Sequence, residues 1–230
     1  MLRSFAALAL TLALLCPALE AGAQGGDRSV LLVARPGMND PNFREAVVLV
    51  TEGEGGQHVG VIINRPTQRS LASILPGERF SRFVEPVFFG GPVALHGLIA
   101  VFRAQETYEG TVALLPGLWL ALDAATLDAL LRKPPASIRF YVGYAGWAPG
   151  QLNVEIGRGD WYVLKADPDL LFTRDTAGLW SRLVQVARSV SARAGPPLER
   201  AAYATARTRL VHALGPGFRS GARLLEAELP

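Results

Sequence analysis

Short apolar runs, separated by turn-forming residues, recur along most of the chain. Ser29 to Arg35 (SVLLVAR) predicts a strand. Ala46 to Thr51 (AVVLVT) is almost continuously apolar, the pattern of a strand covered on both faces. The glycine-rich connection Glu52 to Gln57 joins it to His58 to Asn64 (HVGVIIN), so the two runs predict a β-hairpin. Leu71 to Leu75 predicts one helical turn before Pro76-Gly77. Pro86 to Phe89, Gly97 to Arg103, Thr111 to Leu115 and Leu118 to Leu122 predict further strands. Asp123 is placed to cap a helix from Ala124 to Arg132, which Pro134-Pro135 stops. Ser137 to Tyr144 predicts a strand. It enters the run Gly143 to Leu152 (GYAGWAPGQL), which predicts a strand–turn–helix junction with Pro149 at the first helical position. Leu152 and Ile156 lie four apart, as on a short helix from Gln151 to Ile156. Asp160 to Lys165 predicts a strand, and Asp167-Pro168-Asp169 a turn before Leu170-Leu171-Phe172. A helix starting at Thr176 or Gly178 and ending near Ser191 would put Leu179, Leu183, Val186 and Val190 on one face. Together these elements predict an α+β domain over residues 24–194. Its core would be compact, mixed or antiparallel β-structure with flanking helices.

Both ends of the chain depart from this pattern. Met1 to Ser4 is short and positive, Phe5 to Leu15 is apolar, and Ala21-Gly22-Ala23 is a small-residue cleavage site. Residues 1–23 thus predict a cleaved signal peptide, a mature chain starting at Gln24, and a periplasmic or secreted location. A membrane-spanning helix needs about 20 apolar residues, and Pro17 and Glu20 interrupt this run, so no transmembrane anchor is expected after cleavage. A lipoprotein reading through Cys16 is disfavoured by the bulky Leu14-Leu15 before it. At the other end, Gly195-Pro196-Pro197 reads as a hinge. Residues 195–230 then predict a helical, arginine-rich extension, either an amphipathic helix against the domain or a basic docking arm.

Composition narrows the chemistry. The single cysteine, Cys16, lies within the signal, so the mature chain would hold no disulfide, thiolate metal site or cysteine nucleophile. The net charge of +3 is mild and is carried by arginines, with Lys133 and Lys165 the only lysines. That fits weak attraction to anionic surfaces or glycans and gives no reason to expect a nucleic-acid partner. There is no Gly-x-Ser-x-Gly elbow, His-Glu-x-x-His helix or P-loop. His58, His96 and His212 fall in separate segments and read first as surface or structural residues. No catalytic residue, metal site or cofactor is predicted. The Asn39 to Asn42 cluster reads as Asx-turn chemistry, with Asp40 as a general base the less favoured use. Arg65 could hold an anion through its planar fork, or pair with Asp40 or Glu45. Tyr144 and Trp147 could form an aromatic platform, or simply pack in the core. The candidate ligand-binding set is Asp40, Asn64, Arg65, Gly90, Gly91, His96, Tyr144, Trp147 and Gln151. Its expected partner is an anionic small molecule, a glycan or an envelope protein.

Several collinear motifs carry a resemblance. Pro36 to Phe43 (PGMNDPNF), Gly60 to Pro66 (GVIINRP), Phe89 to Val93 (FGGPV), Gly143 to Leu152, Trp161 and Ala166 to Phe172 (ADPDLLF) occur in this order. Over about Val30 to Arg188 the chain resembles the YqgE/AlgH family of bacterial proteins. The resemblance implies an α+β domain of uncharacterised function and supplies no catalytic residues. One branch bears the name of a transcriptional regulator of alginate synthesis. The chain differs from the usual pattern in its signal peptide, in Asn153 where Glu is common, and in the tail after Ala194. The leading expectation is an exported, non-enzymatic binding or accessory protein. The alternatives are an envelope-acting hydrolase using Asp40, Arg65 or His96, and a regulator that stays with the chromosome.

Overall fold

The computed structural model describes residues 28–106 and 108–191. The expected signal peptide and C-terminal extension lie outside the described residues. Ten strands build the core: β1 Ser29–Ala34, β2 Val47–Glu52, β3 His58–Ile62, β4 Pro66–Ser70, β5 Pro86–Phe89, β6 Val93–Arg103, β7 Thr111–Leu115, β8 Leu118–Ala121, β9 Ile138–Trp147 and β10 Trp161–Lys165. The helices are α1 Leu71–Ile74, α2 Ala124–Arg132, α3 Gln151–Arg158, α4 Pro168–Leu171 and α5 over residues 179–191.

The strands lie in the order β10-β1-β2-β3-β9-β6-β8-β7. The expected hairpin is present, with Leu49 opposite Val61 and Thr51 opposite Val59. β9 is the centre of the sheet. One of its edges pairs with β6; the other is shared by β3 toward its C-terminal end and by β5, which runs parallel to it. All other pairs are antiparallel, so the sheet is mixed and the fold α+β.

Period-two alternation assigns each strand face to a separate core. Leu31, Val33, Leu49, Val61 and Tyr141 point into the hollow of the sheet, where Leu114, Leu120, Leu171 and Leu179 meet them. Leu32, Val48, Val50 and Ile62 point out, under Phe43 and Leu152. A third cluster puts Leu127, Leu130 and Leu131 of α2 against Ala100, Phe102 and Phe140. Each buried Leu or Val contributes about 1.5–3 kcal/mol, so β1 and β2, covered on both faces, are the most strongly held strands. The sheet curls until β7 lies against β2, and the Ser29 hydroxyl on β1 donates to the Leu114 carbonyl on β7.

Four local expectations are corrected. β9 does not end at Tyr144. It continues to Trp147, because Gly143 adopts φ +68° and lets Tyr144 turn into the hollow. Helix α3 begins at Gln151 with Gly150 as its cap, which leaves Pro149 in the turn and out of the first helical position. β6 starts four residues earlier than expected, its first residues forming an irregular, exposed bulge against β9. On α5 the buried residues are Leu179, Val184 and Ala187, whereas Val186 and Val190 are about half exposed. Val184 and Ala187 each lie one position past the expected Leu183 and Val186, so the packed stripe is rotated about the helix axis.

Candidate functional site

The polar candidates on the first loop converge. Asp40 accepts from the Asn42 N–H at 2.8 Å, the expected Asx turn. Glu45, near the end of that turn, holds the left-handed conformation at φ +56°, uncommon for a residue with a side chain. Asn64 clamps it. Its Nδ2 donates to the Glu45 carbonyl at 2.9 Å, and its Oδ1 accepts from the Val47 N–H at 2.8 Å. Arg65 donates through Nη1 to the Asn42 carbonyl and through Nη2 to the Arg44 carbonyl. Burial lowers the Arg65 pKa, and the Asp40 and Glu45 carboxylates pull it back up. Both terminal nitrogens of the fork are thus engaged by main-chain carbonyls of this loop.

The glycine candidates meet one another. A Cβ on Gly91 would lie 2.3 Å from the Tyr144 carbonyl carbon, and one on Gly143 would lie 2.3 Å from the Gly91 oxygen. Gly90 is equally tight against Gly143. Its N–H donates to the Val142 carbonyl and its carbonyl accepts from the Ile62 N–H. Two backbones cross here closer than any side chain allows.

Trp147 is buried, stacked on Phe43 at 5.6 Å and edge-on to Trp161 at 6.2 Å. Its indole N–H donates to Glu155 Oε2 at 2.9 Å, and the Trp161 indole N–H donates to the same oxygen at 3.0 Å. Gln151 donates to Glu155 Oε1 at 3.0 Å and accepts from the Ala148 N–H at 3.1 Å. Glu155 thus ties α3 to β9 and β10 through charge-assisted bonds. His96 stands apart, exposed on the β6 bulge.

A groove of about 730 Å³ opens where the curl brings β7 toward the tip of the β2–β3 hairpin and the end of β9. Tyr144 and Trp147 from the candidate set line it. Asp40 lines a separate hollow of about 320 Å³ with Glu155, Arg158 and Asp160. His58 also lines the groove. It is 5% exposed, and its Nδ1 has no hydrogen-bond partner among the described residues. Burial pushes the imidazole pKa below its ordinary value, against the upward pull of Glu52. Among the described residues no group of three or more His, Cys, Asp or Glu could hold a metal ion.

A family model described as AlgH-like matches residues 31–189. The chain belongs to the AlgH-like family. It is 32% identical over 158 residues to a UPF0301 protein of Chlorobaculum tepidum, covering 67% of this chain and 83% of that protein. It is 37% identical over 166 residues to a UPF0301 protein of Anaeromyxobacter dehalogenans, covering 67% and 84%. The solution structure of the AlgH protein from Pseudomonas aeruginosa is similar at TM-score 0.58 and 27% identity, over 74% of this chain and 92% of that one. A Corynebacterium diphtheriae protein, DIP2367, shares the fold at TM-score 0.54 and 24% identity, over 74% and 87%.

In this AlgH-like chain the structure therefore sorts the candidates. Asp40, Asn64 and Arg65 form one hydrogen-bonded cluster, and Gly90 and Gly91 sit behind it at the β9 crossing. Trp147 and Gln151 belong to the Glu155 bridge, and Tyr144 faces the groove. Sequence reasoning missed Glu155 and His58. The spacing of Gln151 and Glu155, one helical turn apart between two tryptophans, carried a signal for the first. Nothing in the sequence marked the second as buried at a groove.

Proposed function

We propose that this protein is an exported binding or accessory protein whose ligand sits in the groove between β7, the β2–β3 hairpin and the end of β9. One observation carries the reading. The buried His58 ring lines this groove and its Nδ1, shielded from solvent, has no hydrogen-bond partner among the described residues, whereas Asn64, Arg65, Gly90, Gly91, Trp147 and Gln151 are engaged in holding loops and crossings together. Buried polar groups are generally hydrogen-bonded, so an unanswered one beside a groove calls for a partner. The groove wall mixes apolar side chains with Thr51, Gln57 and Tyr144, the blend that orients a small ligand or peptide. The n-region, apolar run and Ala21-Gly22-Ala23 support export.

The test is chemical-shift mapping on the ¹⁵N-labelled mature protein, titrated with soluble fragments of the cell envelope. Binding should move the amides of His58, Val59, Thr111 to Ala113 and Gly146 together. Saturable shifts confined to Asp40, Arg65 and His96 would instead favour a site on those loops.

A further inference from the structure

Thr111, Val112 and Ala113 are consecutive on β7, and all three line the groove. Successive side chains of a strand point to opposite faces, so three in a row present the edge of β7. That edge is open: among the described residues β7 pairs with β8 on one side and with no second strand. At Leu114 this edge is closed, because the Leu114 carbonyl accepts a hydrogen bond from the Ser29 hydroxyl of β1; the open stretch is Thr111 to Ala113. The opposite wall carries the buried His58 with its unpartnered Nδ1. The charged groups at the groove, Arg28 and Glu52, are of opposite sign. That pairing suits an uncharged, dipolar ligand better than a phosphate or a polyanionic glycan.

We propose that the groove binds a peptide in extended conformation, which adds to the open stretch of the β7 edge as a further strand and sets a hydroxyl or amide side chain toward the His58 ring. A hydroxyl or amide both donates and accepts, so it matches either imidazole tautomer. Main-chain hydrogen bonds supply the affinity of such strand addition, and the wall meeting alternate side chains supplies its selectivity. Val59, Val93 and Tyr144 form the apolar part of that wall. The proposal rests on the groove being the ligand site.

The mature protein is mixed with a pool of acetylated, amidated hexapeptides that alternate Val, Ile or Leu with Ser or Thr, and the tightest binder is remade in two N-methylated forms. One form is methylated at the odd positions, the other at the even positions. In strand addition only one set of peptide N–H groups points at β7. One form should therefore bind at least ten-fold more weakly while the other stays within about three-fold, and the amides of His58 and Thr111 to Ala113 should shift on binding. Equal tolerance of both forms overturns the proposal, as does a pool from which no peptide moves those amides. A disaccharide of N-acetylglucosamine and N-acetylmuramic acid serves as a parallel probe. If it moves the groove amides and no peptide does, the peptide class falls while the groove stands as the binding site.

Discussion

Single residues in this chain do mostly architectural work, and that makes them testable. Arg65→Lys keeps the charge but loses the fork that reaches two carbonyls at once. It should cost about 1–3 kcal/mol in urea unfolding and leave groove binding unchanged. Gly143→Ala would strain a φ of +68° and press a methyl group onto the Gly91 carbonyl. The expected loss is about 3 kcal/mol or more, read as a fall in unfolding midpoint or as failure to fold; wild-type stability would contradict the tight crossing. Glu155→Gln removes the charge that two indoles share, at about 1–3 kcal/mol, with a change in tryptophan emission. His58 supplies a pH test. Its folded pKa is lowered by burial, so the unfolded state binds the proton more readily. Its contribution is complete above the unfolded pKa of about 6.5 and is lost as pH falls from there through the folded value. Stability should decline as pH drops below about 6.5, and His58→Gln should flatten that part of the profile. An unchanged profile in the variant would place the pH dependence elsewhere.

At the scale of elements, what was legible depended on whether the signal was local. The β2–β3 hairpin was visible because two apolar runs flank a glycine-rich connection. Helix α2 was visible because Asp123 is a proper cap, accepting from the Thr126 N–H at 2.8 Å. β4 was missed because its residues are mostly exposed and polar, so no apolar alternation announces it. β9 was cut short for a different reason. Glycine at 143 locally argues for a strand end, but the demand for glycine comes from Gly91, some fifty positions away. The candidate site divided in the same way. The motif glycines, Asn64 and Arg65 were recognised as specified positions, but their partners are main-chain groups of distant segments. His58 looked ordinary because its burial is created by the curl, which no stretch of sequence encodes alone.

The described residues form a curled mixed sheet of the AlgH-like family, with a groove beside the β7 edge. The protein's proposed location is tested independently. Fractionation and N-terminal sequencing should recover a chain beginning at Gln24 from the envelope, and an intact Met1 terminus in the cytoplasm would remove export. The most direct measurement for the groove is calorimetric titration of envelope fragments, or the selected peptide, into wild type and Ala113→Trp. Ala113 lines the groove from β7 and belongs to none of the buried clusters, so the larger ring fills the site while the sheet persists. The expected result is an unfolding midpoint close to wild type with binding at least ten-fold weaker. A folded Ala113→Trp protein that binds as tightly as wild type would show that the ligand sits elsewhere.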